Sequence, residues 1–216
     1  PIPLENCPWC GTRFGPDSFQ LLPNEDAPTE LRIGCLNLEC AFSGDRSLPI
    51  VAVDEPVYRR LPAFLIATVD KFASLPWVGV AGALLGRADR YGDGGFYGAA
   101  EPSVGHRLPA PLPPPDLVIQ DELHLISGPL GTMVGLYEAA IDALCAREVG
   151  GRVVRPKIVA STATVRQARD QIQALFARPT TAIFPPPGPD RRDSFFARTV
   201  SADEAPARMY LGIAAQ

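Results

Sequence analysis

Short apolar runs alternate with helical segments through the middle of the chain. Apolar residues dominate positions 63–67, 117–119 and 157–160, and helical patterns follow at 131–147 and 165–178. Continuous apolar strands are typical of a sheet covered on both faces, and their alternation with helices favours parallel pairing. The sequence therefore predicts an α/β fold, with buried strands in a partial parallel sheet and helices on its faces.

The remaining segments have a different character. Residues 79–115 are dominated by glycine and proline and finish in a proline tract. We expect a long surface loop there, with His106 solvated inside it. From residue 179 onward we expect a linker and the start of another domain. Both termini fall within what resembles continuing structure, which predicts that the chain is an internal piece of a longer protein.

Length, hydrophobic content and net charge limit the kind of protein that this sequence can encode. The chain has 216 residues, of which 46% are hydrophobic, enough for one large domain and a small module. It contains no apolar run near the roughly 20 residues of a membrane span and no export-type start, which predicts a cytoplasmic location without membrane contact. The net charge of −4 gives no global basic field. Arginines that could line a local basic groove, or equally be solvated, are Arg87, Arg90, Arg166 and Arg169.

Four of the five cysteines form two close pairs near the start of the chain. Cys7 and Cys10 precede Gly11 with the spacing of a zinc knuckle, and Cys35 and Cys40 provide a second pair. Four thiolates complete a tetrahedral structural zinc site, which would stabilise a segment too small and polar to fold alone. Two disulfides, or free thiols, are the alternatives. The fifth cysteine, at position 145, is predicted to be a small buried core residue.

An acidic pair follows the apolar run at 117–119. Asp121 and Glu122 open an Asp-Glu-Leu-His tetrad that ends at His124. A buried strand that delivers two carboxylates at its C-terminal end is the Walker B arrangement. There the first carboxylate holds Mg²⁺ and the second orients or deprotonates the attacking water. Ligands bind at that end of the strands in open α/β sheets. An ordinary acidic turn is the alternative.

Hydroxyl and basic side chains follow the other two apolar runs. The hydroxyl groups after the third run, at 157–160, could hydrogen-bond to His124. The hydroxyl and lysine side chains after the first run, at 63–67, could face a phosphate backbone. Capping of the following helices explains the hydroxyl groups equally well. The residues concerned are Ser161, Thr162 and Thr164 after the third run, and Thr68 and Lys71 after the first.

The order of these motifs resembles superfamily-two helicases of the Asp-Glu-x-His type, through residues 67–72, 121–124 and 161–164. With the cysteine pairs upstream and the stretches 184–187 and 193–198 downstream, the chain resembles the large helicase of bacterial DISARM anti-phage systems. The resemblance implies RecA-like domains, ATP, Mg²⁺ and translocation along nucleic acid, most naturally DNA. It also implies other subunits of a defence complex as partners.

The resemblance also implies roles and domain limits. Asp121 would hold Mg-ATP, Glu122 would act on the hydrolytic water, and Thr68 and Lys71 would lie near the nucleic-acid backbone. Coupling between nucleotide and nucleic acid would fall to His124, Ser161, Thr162 and Thr164. The implied division is a zinc-binding module at 1–60 inserted in the first RecA-like domain, the C-terminal part of that domain at 61–178, and a linker with the start of the second domain at 179–216.

Two parts of the full helicase pattern are missing from the sequence. There is no Gly-x-x-x-x-Gly-Lys-Ser/Thr loop, since residues 82–87 are too few and lack the lysine, and there is no arginine-bearing motif of a second domain. We therefore expect these 216 residues alone not to hydrolyse ATP. One alternative function is a non-hydrolysing zinc-ribbon and RecA-like scaffold that binds nucleic acid. Another is a metal-dependent nuclease, which would need further carboxylates around its metal.

Overall fold

The computed structural model describes residues 4–125, 128–162 and 168–178, and beyond these 180–184, 186, 189–190, 192–193, 195–206, 208 and 211–212. Helices and short strands are mixed along this part of the chain. In order they are β1 (Phe19–Leu22), β2 (Glu30–Ile33), α1 (Asp54–Arg60), α2 (Val69–Ser74), β3 (Ala88–Gly92), β4 (Gly95–Gly98), β5 (His106–Arg107), β6 (Leu117–Gln120), α3 (Gly128–Cys145), β7 (Arg147–Val149), β8 (Arg152–Val154), β9 (Lys157–Ala160) and α4 (Ala168–Phe176).

The cysteine-rich segment has a small core of its own. Strands β1 and β2 pair antiparallel, and Ile33 at the end of β2 is fully buried. Around it cluster three of the cysteines and Leu48, with further apolar side chains packed on the outside. Thiol groups therefore make up much of this core, as expected for a segment whose stability depends on its cysteines.

Residues 79–115 are not the long surface loop that their composition predicts. A 3-10 helix spans Gly79–Leu85, and an antiparallel sheet follows in the order β4-β3-β5. The glycines allow tight packing: a Cβ atom on Gly98 would lie 2.3 Å from the Arg87 carbonyl oxygen. His106 is exposed as expected, but it lies in strand β5 rather than in a loop.

Helix α1 connects the cysteine-rich segment to this antiparallel sheet. The Arg59 guanidinium donates to Glu101 at 2.8 Å and to Glu55 at 2.8 Å, and it lies 4.3 Å from the centre of the Tyr97 ring. On the other side, the Arg60 guanidinium forms an ion pair with Glu30 of β2 at 2.5 Å. Two consecutive arginines thus join the two parts of the chain.

The α/β part is built on one parallel strand pair. β6 and β9 pair in register from Leu117 with Lys157 to Gln120 with Ala160. Their inner face packs against α3 and α4 around a core of Leu123, Val134 and Phe176. The predicted strands at 117–119 and 157–160 and the two helices that follow them are therefore confirmed, with α3 and α4 placed at Gly128–Cys145 and Ala168–Phe176.

Several residues that the sequence predicts to be buried in strands are exposed. Leu117 and Ile119 are 46% and 56% exposed, so β6 is half-buried on one face and open on the other. Residues 63–67, predicted to be a buried strand, are exposed and form neither helix nor strand. Within the described residues, no strand lies beside this segment to pair with its backbone. Its apolar side chains therefore stay exposed.

Helix α3 ends in a polar cluster. Asp142 accepts a hydrogen bond from Arg155 at 2.5 Å and another from Arg178, so the carboxylate ties the end of α3 to the segments before β9 and after α4. Cys145 is buried, as predicted, and burial raises the pKa of its thiol.

Among the helices that the structure describes, none combines the length and the apolar composition that a membrane crossing requires.

Candidate functional site

The two cysteine pairs converge on one point. Their four sulfur atoms all lie within 4.8 Å of one another, and no disulfide joins them. Gly11, at a φ of 78°, lets the first turn close through a hydrogen bond of 2.8 Å from its own N–H to the Cys7 carbonyl. The sulfurs of Cys10 and Cys35 are 3.4 Å apart. Such a set of ligand atoms could hold a metal ion such as zinc.

The four thiols are not equivalent. Cys10 is exposed, and hydrogen bonding with Thr12 lowers its pKa to about 6. Cys35 is buried, and desolvation raises its pKa to about 12. In the absence of a metal ion, Cys10 is therefore a thiolate at neutral pH that can make the first bond to an incoming metal ion. Thr12 is not among the site residues predicted from the sequence, although its position two residues after Cys10 could have indicated it.

The acidic pair lies directly beyond strand β6. Asp121 and Glu122 are both exposed, and the Glu122 N–H donates to Asp121 Oδ1 at 3.0 Å. Glu122 has a φ of 52°, in the left-handed region that a non-glycine residue adopts at a cost of about 1 kcal/mol or more. Such conformations cluster at functional sites, where the surrounding structure maintains them.

Backbone hydrogen bonds join this turn to the end of β9. The Ser161 N–H donates to the Gln120 carbonyl at 2.9 Å, and the Leu123 N–H donates to the Ser161 carbonyl at 2.8 Å. The acidic pair and Ser161 therefore lie at the same C-terminal edge of neighbouring parallel strands, as the sequence predicts. Thr162 follows Ser161 at that edge, whereas Thr164 lies outside the described residues.

His124 is directed toward the acidic pair. Its Nδ1 atom lies 3.1 Å from Glu122 Oε2, but the two groups are not aligned as a hydrogen bond. Within the part of the chain that the structure describes, His124 Nδ1 and the buried side-chain oxygen of Gln120 have no hydrogen-bond partner. Buried polar atoms of this kind call for partners. The predicted contact between His124 and the Ser161–Thr164 turn stays a prediction.

The two residues predicted to contact nucleic acid lie elsewhere on the surface. Thr68 occupies the N-cap position of α2, but its side chain makes no capping hydrogen bond. Lys71 forms an exposed ion pair with Asp54 at 2.7 Å, and this hydrogen bond raises the pKa of the lysine. A phosphate group would compete with Asp54 for Lys71, and nucleic-acid contact at these two residues stays a prediction.

The short turn after the acidic pair contains one buried and one exposed leucine, whose substitutions can be compared directly. Leu123 is fully buried, and Leu125, two residues later in the same turn, is 64% exposed. Leu123→Ala should lower the free energy of unfolding by about 2–5 kcal/mol because it removes a core side chain. Leu125→Ala should change it by less than about 0.5 kcal/mol. Urea unfolding of both variants measures the difference, and equal effects would contradict the packing described for Leu123.

A known protein aligns with nearly the whole of this chain. No known protein-family profile matches it. It is 43% identical over 219 aligned residues to DISARM protein DrmA from Bacillus paralicheniformis. The chain therefore resembles a segment of that DISARM protein. The alignment covers 96% of this chain and 19% of that protein, so the chain spans about a fifth of the relative's length.

Proposed function

We propose that this chain is part of an ATP-dependent nucleic-acid helicase or translocase that acts on DNA in anti-phage defence. The observation that carries the proposal is the shared edge of β6 and β9, where two carboxylates follow one strand and Ser161 and Thr162 follow its parallel neighbour. Nucleotides bind at such edges in open α/β sheets. Similarity to a DISARM protein supports the defence role and a complex with other subunits.

The chemistry of the two carboxylates fits Mg-ATP. Asp121 is exposed at the strand end, and carboxylate oxygens are the ligands that Mg²⁺ prefers. When bound, Mg²⁺ neutralises charge on the nucleotide phosphates. Glu122 follows in a left-handed backbone conformation, and its carboxylate lies beside His124. Asp121 would hold the metal and Glu122 would orient the attacking water or accept its proton.

Coupling between nucleotide and nucleic acid would use the contacts that cross the edge. The hydrogen bond from Leu123 to Ser161 joins the acidic turn to the Ser/Thr turn, so movement of one displaces the other. The His124 imidazole lies beside the Glu122 carboxylate and would report the state of the nucleotide. We assign His124, Ser161, Thr162 and Thr164 to this coupling, and Thr68 and Lys71 to the nucleic-acid backbone.

A substitution at His124 separates coupling from chemistry. In the full-length protein, His124→Ala should leave ATP turnover without nucleic acid within about twofold and reduce its stimulation by DNA, because Glu122 is still present to act on water. Turnover measured with and without DNA gives the two quantities. A loss of basal turnover as large as that caused by removing the Glu122 carboxylate would instead make His124 part of the hydrolytic chemistry.

The cysteine cluster is assigned a structural role. We propose that it holds one Zn²⁺ in a tetrahedral site of four sulfurs, which leaves no open position for a substrate. The site lies in the core of residues 4–50 rather than near the acidic pair. It would stabilise a module that we place at residues 1–60, within the first of two RecA-like domains.

Zinc affinity should depend on pH in a direction set by the thiols. Zinc binds thiolates, so binding at neutral pH must displace the proton that Cys35 holds with a pKa of about 12. Affinity should therefore fall as the pH decreases, and more steeply below the Cys10 pKa of about 6, where the Cys10 thiolate is also protonated. Competition titrations with a chromogenic chelator from about pH 5.5 to about pH 8 measure this slope. A pH-independent affinity would contradict thiolate ligation.

The direct test of function is ATP turnover by the full-length protein. Mg²⁺-dependent hydrolysis that DNA stimulates is the expected result. The chief alternative is a non-hydrolysing scaffold that binds nucleic acid. Nucleic-acid binding without turnover at any nucleotide concentration would support the scaffold. Cleavage of the nucleic acid without ATP would support the metal-dependent nuclease.

A further inference from the structure

A cavity lies at the end of helix α3 that is remote from the acidic pair. Its volume is about 370 Å³, and it is lined by residues 85–87, 111–114, 144 and 146–147. Helix α3 has 18 residues, which corresponds to a length of about 27 Å. The acidic turn precedes the first residue of α3 and the cavity adjoins its last, so the cavity is separate from the strand edge of β6 and β9.

Two arginine side chains at this cavity have no partner. Arg87 is exposed and Arg147 is half-buried, and both line the cavity. Among the described residues, neither guanidinium forms an ion pair or a hydrogen bond, whereas Arg155 and Arg178 both pair with Asp142 near the same end of α3. None of the described residues that line the cavity is acidic. The cavity therefore has a local excess of positive charge, which attracts an anion.

The opposite wall is apolar and held in place. Residues 111–114 contribute three prolines and Leu112, and proline rings restrict the backbone. The Leu112 N–H donates to the Ala88 carbonyl at 2.9 Å. A Cβ atom on Gly86, which has a φ of 78°, would lie 2.8 Å from the Pro114 nitrogen, so the proline tract packs directly on this turn. A wall fixed in this way loses little conformational freedom when a ligand binds.

We propose that this cavity binds the terminal phosphate of a nucleotide, either free or at the end of a nucleic-acid strand. A terminal phosphate carries close to two negative charges and several acceptor oxygens, so it can pair with Arg87 and Arg147 together. A carboxylate has one charge and would leave one guanidinium without a counter-charge. The cavity volume falls in the range of small-molecule sites, about 300–1,000 Å³, and the proline wall would contact the sugar or the base.

The test is protection of individual arginines from phenylglyoxal in the full-length protein. The reagent modifies free guanidinium groups, and peptide mass spectrometry reports each position separately. AMP and an oligonucleotide with a terminal phosphate are compared with adenosine, inorganic phosphate and the same oligonucleotide without that phosphate. The matched control is Arg152, an exposed arginine of β8 outside the cavity. EDTA is present throughout, so the result does not depend on Mg-ATP binding at Asp121.

The phosphorylated ligands should slow modification of Arg87 and Arg147 and leave Arg152 unchanged. Protection by AMP alone would identify a free nucleotide as the ligand, and protection by the phosphorylated oligonucleotide alone would identify a strand end. In Arg87→Gln, protection of Arg147 should require about tenfold more ligand or higher, because one charged hydrogen-bond donor is lost. Arg152→Gln should not change the ligand concentration required.

Three outcomes would overturn the proposal. The first is the absence of protection at Arg87 and Arg147 by either phosphorylated ligand. The second is equal protection by the matched ligand without its phosphate, or equal protection of Arg152, since neither result requires phosphate recognition in the cavity. The third is equal protection by inorganic phosphate at the same concentration, which would show that the apolar wall contacts no nucleoside.

Discussion

Glu122→Gln in the full-length protein is expected to lower ATP hydrolysis by about 100-fold or more while ATP binding is retained. The amide keeps the shape of the side chain but accepts a proton poorly, so the nucleotide binds and the attacking water is not activated. Steady-state turnover and equilibrium affinity for ATP, measured on the same preparation, separate the two effects. The variant should also retain DNA longer in the presence of ATP, because release would wait for hydrolysis.

Asp121→Asn is the matched comparison for that variant. It removes charge next to the expected Mg²⁺ position, so Mg²⁺-dependent ATP affinity should fall together with turnover. The two neighbouring carboxylates should thus fail in different ways, although both are exposed at the same strand end. Turnover of Glu122→Gln at the unaltered rate would remove its catalytic role and favour the scaffold.

Removal of zinc is expected to unfold the cysteine-rich segment and to leave the β6–β9 part folded. Cys7 is buried in a core that consists largely of the ligand thiols, so Cys7→Ser should abolish stable zinc binding and expose residues 4–50. Zinc content should fall from about one per chain to near zero. Hydrogen exchange should increase across this segment by orders of magnitude and change little in α3 and α4.

Cys145→Ala is the control for that experiment. Cys145 is buried as deeply as Cys7, but it lies at the end of α3, outside the cluster of four sulfurs. The alanine variant should keep its zinc and its protected segment. Purified, reduced protein that contains no metal, yet shows the same protection of residues 4–50, would show that the thiols stabilise this core without an ion.

The elements predicted best are those whose signals are local. The strands β6 and β9 follow from short apolar runs, and their parallel pairing follows from the helices between and after them. The sheet within 79–115 could not be predicted in the same way. Its glycines permit close backbone contacts, such as that of Gly98 with Arg87, and composition alone does not distinguish such contacts from a loop. Residues 63–67 have the sequence of a buried strand, but burial needs a partner that the described residues do not provide.

The candidate sites show the same difference between features with local sequence signals and features without them. The spacing of the cysteines predicts their convergence, because each close pair forms a tight turn around its thiols. The shared edge of Asp121 and Ser161 follows from parallel pairing. The ion pair between Lys71 and Asp54 joins residues far apart in the sequence, and the position of the Glu122 carboxylate beside His124 depends on a left-handed backbone conformation. No residue pattern specifies contacts of these two kinds.

The most direct measurement is a structure of the full-length protein with Mg²⁺ and a non-hydrolysable ATP analogue. We expect Mg²⁺ at the end of β6, with the Asp121 carboxylate bound to it at about 2.0–2.1 Å or through one ordered water. Glu122 should then face the γ-phosphate, and the Ser161 turn should lie beside it. A nucleotide bound at another edge of the sheet, with Asp121 and Glu122 both remote from its metal ion, would contradict the proposed function.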